Sequence, residues 1–213
     1  LGLHAGRCGG STLKGSVGGA AAPISTRFHP GALIGHKFRV EQLLGEGGMG
    51  AVLRVRHLAL DEPRALKVML PEVMSEAEGR ERFLREARAA AKLRSEHVTK
   101  VHDIGQLPTG EPYIEMELLD GRDLAAVLEA GGPQPFDLVA SWIMQACEAL
   151  SEAHGLGIIH RDLKPANLFL TRRPNGTDCV KVLDFGIAKV STETGHSLTS
   201  TMSTMGSPLY MSP

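Results

Sequence analysis

A chain of 213 residues with a formal net charge of −1, 42% hydrophobic and 22% charged residues has the make-up of one large globular domain or two small ones. So small a charge excludes bulk attraction to nucleic acid or to an anionic membrane, and no apolar run approaches the ~18 residues that span a bilayer. Cys8, Cys147 and Cys179 match neither a zinc site nor a disulfide framework, and their odd number suits a reducing compartment. A cytoplasmic location is expected, with any membrane anchor lying outside this stretch. Residues 1–34 are rich in Gly, Ala and Ser (GGSTLKGSVGGAAAP at 9–23) and lack the apolar core of a signal peptide, so they read as a flexible arm.

The texture changes at Gly35. FRVEQLLGEGG reads as a strand running into a glycine turn. A second strand follows, in which Ala51, Leu53 and Val55 alternate with Val52, Arg54 and Arg56. RALKVML is a third. Residues 75–94 carry Phe83, Leu84, Ala87, Ala90, Ala91 and Leu93 near helical spacing. HVTKVHDIG and PYIEMELLDG read as strands bounded by Gly and Pro. Then the pattern turns helical: DLAAVLEAGG is a short helix stopped by glycines, and 137–154 is a longer one. Its expected inner face is Val139, Ile143, Ala146, Cys147, Leu150 and His154, with Trp142 packing at the edge. NLFLT and VKVLDFG read as paired strands around a turn at Asn175-Gly176. Strands with one helix, followed by mostly helices, predict an α+β fold of two lobes.

Several short stretches carry chemistry. Gly45-Glu46-Gly47-Gly48-Met49-Gly50-Ala51-Val52 fits G-x-G-x-x-G-x-V, in which glycines let backbone amides approach phosphate oxygens. Alone it is equally a plain hairpin turn. No helix follows it, as a dinucleotide fingerprint requires, and no Gly-Lys-Ser/Thr is present, as a Walker loop requires. Lys67, inside the apolar ALKV, is costly to bury without an anionic partner, yet it also fits a solvated edge position. Glu86, on the helix, could reach it, although a solvated charged face accounts for Glu86 as well. Asp184-Phe185-Gly186 places a carboxylate at the end of an apolar strand, suited to a metal ligand or to an ordinary turn. His160-Arg161-Asp162-Leu163-Lys164-Pro165-Ala166-Asn167 sets an acid, two cations and an amide side by side.

Taken together and in this order, with Gly206-Ser207-Pro208-Leu209-Tyr210-Met211-Ser212-Pro213 at the end, these stretches resemble the eukaryotic-like protein Ser/Thr kinases, in particular the bacterial branch. The resemblance covers roughly 35–213. It implies a bilobal kinase-like fold with a small lobe at about 35–116, a hinge at about 117–121 and part of a large lobe at about 122–213. It also implies transfer of the ATP γ-phosphoryl group to Ser/Thr hydroxyls of proteins, with ATP and Mg²⁺ as cofactors and no nucleic-acid partner. By resemblance Asp162 is the catalytic base and Lys164 lies near the transferred phosphate. Asn167 and Asp184 hold the metal. Lys67, fixed by Glu86, contacts the α- and β-phosphates, while Leu44, Gly45, Glu46, Gly47, Gly48, Met49 and Gly50 cover them. Met116 is the gatekeeper, Glu117 and Leu119 offer backbone groups to adenine, and Val52, Ala65 and Phe169 sandwich the ring. His160 is expected to pack beneath Phe185.

Lys164 points to a Ser/Thr rather than a Tyr acceptor, and Ser207 stands where this family usually has Thr. Thr199 and Thr201 resemble a self-phosphorylated pair, modified in trans and held by Arg161. Three departures stand out: Glu115 at a usually apolar position, an extra hairpin RRPNGTD expected to be a plain surface turn, and an end at Ser212-Pro213 where the family continues with large-lobe helices. The chain is therefore read as a fragment. By itself it is expected to be marginally folded and a poor kinase; the alternative function is an inert fragment or nucleotide-binding module.

Overall fold

The computed structural model describes residues 24–47, 50–69, 77–185 and 210. A short helix α1 (Ile24–Arg27) and strand β1 (Leu33–Ile34) precede β2 (Phe38–Gly47), β3 (Gly50–His57) and β4 (Glu62–Met69). Helix α2 (Ala77–Ala90) leads to β5 (Val101–Gln106) and β6 (Pro112–Glu117). Beyond Glu117 come β7 (Arg122–Asp123), α3 (Leu124–Gly131), α4 (Phe136–Gly155), β8 (Leu168–Arg172) and β9 (Asp178–Val182). The first sheet has six strands in the order β1-β2-β3-β4-β6-β5, and the second has β7-β8-β9. The α+β, two-lobe expectation holds.

The period-two reading of β3 is met in full: Ala51, Leu53 and Val55 are buried, and the residues between them are not. They pack with Phe38, Leu66 and Val68 on the outer face of the large sheet. Each such side chain taken wholly from water contributes about 1.5–3 kcal/mol. Phe28 and Ile34 belong to the same cluster, and Arg27 pairs with Glu111 at the β5–β6 turn. Residues 24–34, assigned by composition to the arm, are thus packed onto the sheet, because the apolar Phe28 and Ile34 lie past the Gly/Ala/Ser-rich stretch. Likewise β5 starts at Val101, later than the apolar pattern suggested, because 97–99 are engaged with the second sheet instead.

The inner face carries the opposite parity. Register pairs Val52 with Lys67 and Ala65 with Met116, so these side chains share a face. Phe83 and Ala87 of α2 close over Met69 and Ile114 on that side.

In the second lobe α4 packs on β9, burying Trp142, Ala146, Ala149 and Ala153 against Val180 and Val182. This corrects the face expected from sequence. Ala146, Val139 and Leu150 do contribute, but Ile143, Cys147 and His154 are exposed. Small alanines let the helix approach the strand closely, which turns the inner stripe toward Trp142. Ile143 instead lines a cavity of about 380 Å³ with Leu163 and Tyr210.

Glu115, the odd residue in β6, is buried on the outer face. Lys37 Nζ donates to it at 2.8 Å and to Asp103 at 2.6 Å. Arg64 Nε lies 3.4 Å from the same carboxylate without hydrogen-bond geometry, and Arg64 also pairs with Glu62. Burial works against the Lys37 charge, but the two carboxylates outweigh it and raise its pKa. Lys37→Met would leave the buried Glu115 with Arg64 alone, a loss of about 3 kcal/mol, whereas Glu115→Leu leaves both cations partnered and should cost about 1 kcal/mol. Urea unfolding of the two variants checks this order; equal or reversed losses would refute it.

Candidate active site between the lobes

Strands β2 and β3 pair as far as Gly47 opposite Gly50, so the glycine stretch is a hairpin tip, and Gly48 and Met49 lie outside the described residues. A Cβ at Gly50 would stand 2.2 Å from the Val68 carbonyl oxygen, so the position excludes every other residue. Leu44 and Glu46 are exposed along the strand leading to the tip.

Lys67 projects from the inner face of β4 across the cleft. Its Nζ donates to Asp184 Oδ1 at 2.6 Å. The lysine is mostly buried and the aspartate 45% exposed, so the pair opens toward solvent on the Asp184 side. Glu86 is placed on α2, but its side chain, and with it the expected pairing to Lys67, lies outside the described residues. Gly186 and the stretch containing Thr199, Thr201 and Ser207 lie outside them as well.

The second lobe supplies the remaining groups through one hydrogen-bonded knot. Asn167 Nδ2 donates to the Asp162 carbonyl at 2.7 Å and to Asp162 Oδ2 at 3.3 Å. Lys164 Nζ stands 3.0 Å from Asp162 Oδ2. Leu183 N donates to Asn167 O at 2.9 Å, which ties the residue before Asp184 to the catalytic stretch. His160 makes the second tie. Its Nε2–H donates to Leu183 O at 2.8 Å, and its Nδ1 accepts the Asp162 amide at 3.3 Å. The ring meets Phe185 edge-on at 5.2 Å, as expected from sequence. Arg161 and Asp184 both adopt left-handed backbone, at φ 62° and 49°. Such conformations cost about 1–2 kcal/mol each in a residue with a Cβ, and the bonds just listed hold them there.

Met116 is half-buried against the inner cluster and Phe169 half-buried on β8. Leu119 follows in the connection between the sheets, also half-buried. Glu117 N donates to Lys100 O at 2.9 Å. The structure thus brings Lys67, Asp162, Lys164, Asn167 and Asp184 together at the interlobe cleft, with Val52, Ala65 and Met116 on the sheet face above. Two contributors escaped the sequence reading. Lys181 donates to Glu117 Oε1 at 2.7 Å. Arg173, in the hairpin expected to be a plain turn, donates from Nε to Glu96 Oε2 at 2.9 Å, and this bond holds the Glu96 carboxyl below its ordinary pKa. Neither has a local signal, since both partners are distant in sequence.

Residues 38–213 match the protein kinase domain family. The chain belongs to that family. It is 46% identical over 190 residues to the serine/threonine-protein kinase pkn3 of Myxococcus xanthus and 41% identical over 176 residues to Pkn1 of the same organism. These alignments cover 88% and 83% of this chain but 35% and 25% of the two relatives, so the chain spans about a third of their length or less. The crystal structure of the Mycobacterium tuberculosis PknI kinase domain is similar with a TM-score of 0.64 and 35% identity, over 75% of this chain and 63% of that one. The bacterial-type Ser/Thr kinase resemblance seen in the motifs is therefore borne out. Among the described residues no helix is long and apolar enough to cross a membrane.

The His160 knot has a pH consequence. Burial pushes the imidazole below its ordinary pKa, and its Nδ1 faces an amide N–H that only a neutral ring can accept. The unfolded chain binds the proton first, so this contribution to stability is present above about pH 6.5 and is lost as pH falls toward the lower folded value. Tm followed from about pH 7.5 to 5 should decline. His160→Gln keeps a donor for Leu183 O and should flatten part of that decline; His102, also pushed down by burial, retains the rest. An unchanged slope in His160→Gln would contradict the assignment.

Proposed function

We propose that the chain carries the ATP-dependent phosphoryl-transfer centre of a protein kinase acting on Ser/Thr hydroxyls. The observation that carries this reading is the convergence of Lys67 and Asp184 from opposite lobes beside the Asp162–Lys164–Asn167 cluster. The small lobe extends to about 116, the hinge spans about 117–121 and the large lobe begins at about 122, in keeping with a sheet that ends at Glu117 and another that starts at Arg122.

The donor set suits a hard cation. Asn167 spends Nδ2 on Asp162, so its amide oxygen remains a ligand, and Asp184 offers an exposed carboxylate. Asn167 and Asp184 are the residues that would hold Mg²⁺. When bound, Mg²⁺–ATP supplies the transferable γ-phosphoryl group and charge neutralisation at its oxygens. Lys67 positions the α- and β-phosphates, and the backbone from Leu44 to Gly50 covers them; Glu86 is proposed to steady Lys67. Met116, Val52, Ala65 and Phe169 bound the adenine, with backbone groups of Glu117 and Leu119 at its edge. Asp162 accepts the proton of the acceptor hydroxyl, and Lys164 stabilises charge near the transferred group. The Ser/Thr preference rests on Lys164 and on the bacterial relatives.

Labelled ATP, Mg²⁺ and a generic basic protein, presented to the chain within a complete kinase domain, test the reading. Transfer by wild type and its loss by about 10²–10³ in Lys67→Met are expected. Asp162→Asn should lower kcat while sparing nucleotide affinity, and Asp184→Asn should weaken the response to Mg²⁺. Equal losses of Mg²⁺–ATP binding in the two aspartate variants would overturn the division of roles. Binding without transfer in wild type would leave a nucleotide-binding module. Self-phosphorylation in trans at Thr199 and Thr201 is part of the proposal. Full activity of the Thr199→Ala/Thr201→Ala double variant would remove that part.

A further inference from the structure

We propose that the side chains of Glu117 and Lys181 form a strut that fixes the angle between the lobes, and that both are positioning residues for the transfer reaction. The inference rests on the kinase reading above but concerns groups to which that reading gives no task. Glu117 closes β6 where the chain leaves the large sheet. Its Oε1 accepts the Lys100 amide at 2.7 Å and Lys181 Nζ at 2.7 Å, and its own amide donates to Lys100 O at 2.9 Å. One carboxylate oxygen therefore joins three segments: the start of the hinge, the loop before β5, and β9.

Lys181 belongs to the strand that runs directly into Asp184. Lys67 stands in the other lobe, so the Lys67–Asp184 separation reports the lobe angle. Held rigidly, the strut keeps those two groups at the distance required for charge neutralisation across the cleft. Released, it leaves the angle to the hinge backbone and to the backbone bonds of 97–99 with β9. The pair is shielded, with the lysine side chain 15% and the glutamate side chain 25% exposed. Its attraction is accordingly less screened than that of the Arg173–Glu96 pair, whose carboxylate is 60% exposed. The charge pairing also sits at the pivot, where a small displacement becomes a large one at the reacting groups.

The alternative is an ordinary ion pair that affects stability alone. The full chain with Cys8→Ser and Arg39→Cys, spin-labelled at the introduced thiol and at the exposed native Cys147, gives the interlobe distance distribution independently of catalysis. The label on β2 would report the small lobe and the Cys147 label the large one. Lys181→Met and Glu117→Gln should each broaden the distribution, the double variant no further, and Lys181→Arg should restore it. In unlabelled protein Lys181→Met should lower kcat by roughly 10-fold with little change in KM for ATP, inside the ~100-fold that a misplacement of about 1 Å can cost. Lys181→Arg should recover most of it. An unbroadened distribution in Lys181→Met overturns the strut whether or not the protein turns over. A broadened one with kcat unchanged or raised overturns the positioning role. Broadening in a complete domain whose wild type transfers no phosphate supports the strut and counts against the kinase reading instead.

Discussion

Strand β9 is hydrogen-bonded on both edges, and the geometry of the cleft depends on that constraint. One edge pairs with β8 along its length. The other meets residues 97–99 of the first lobe: Val182 N donates to His97 O at 2.8 Å, Thr99 N to Val182 O at 3.2 Å, and His97 Nδ1 contacts Val180 O at 2.8 Å. One face is sealed by α4, against which Val180 and Val182 are completely buried. A strand fixed on two edges and one face cannot slide, because a slip of one residue would reverse which side chains it buries. Asp184 follows immediately, so the end of the strand carries the carboxylate to a set place opposite Lys67.

The catalytic stretch is set by the same strand at second hand. Leu183 is held by Asn167 through its amide and by His160 through its carbonyl, and Asn167 and Lys164 in turn flank Asp162. Charges alternate through the cluster, so no carboxylate there stands without a cation or a donor. That arrangement gives each buried or half-buried polar group of the cluster a partner in a cleft where an unpaired one would be costly. The outer face of the first sheet solves a similar problem for Glu115. Lys37 and Arg64 surround a carboxylate at a position where an apolar residue is expected, and Asp103 and Glu62 balance the cations.

Much of this was legible in the chain. Alternation at 51–56 gave β3 its buried parity because a half-buried sheet permits only one assignment of faces. Asn175-Gly176 marked the β8–β9 turn, and Gly176 adopts φ 82°, which a residue with a Cβ resists. The order of the short motifs named the family and nominated Lys67, Asp162, Asn167 and Asp184. Helix α4 was harder: helical spacing alone allows several overlapping stripes, and the close approach of alanines to β9 selected the one through Trp142.

By itself the sequence determined the strand parities, the glycine hairpin and the identity of the charged groups in the cleft, because local backbone geometry and residue chemistry are encoded within a few neighbouring positions. Only the tertiary structure decided which charges meet. Lys67 with Asp184, Lys181 with Glu117, Arg173 with Glu96 and Lys37 with Glu115 join residues of different strands and loops, and nothing local in either partner specifies the other. Their pairing follows from how the fold brings distant strands and loops together, and it matters most where the pair is shielded, as at Lys181–Glu117, because an unmatched charge there is costly.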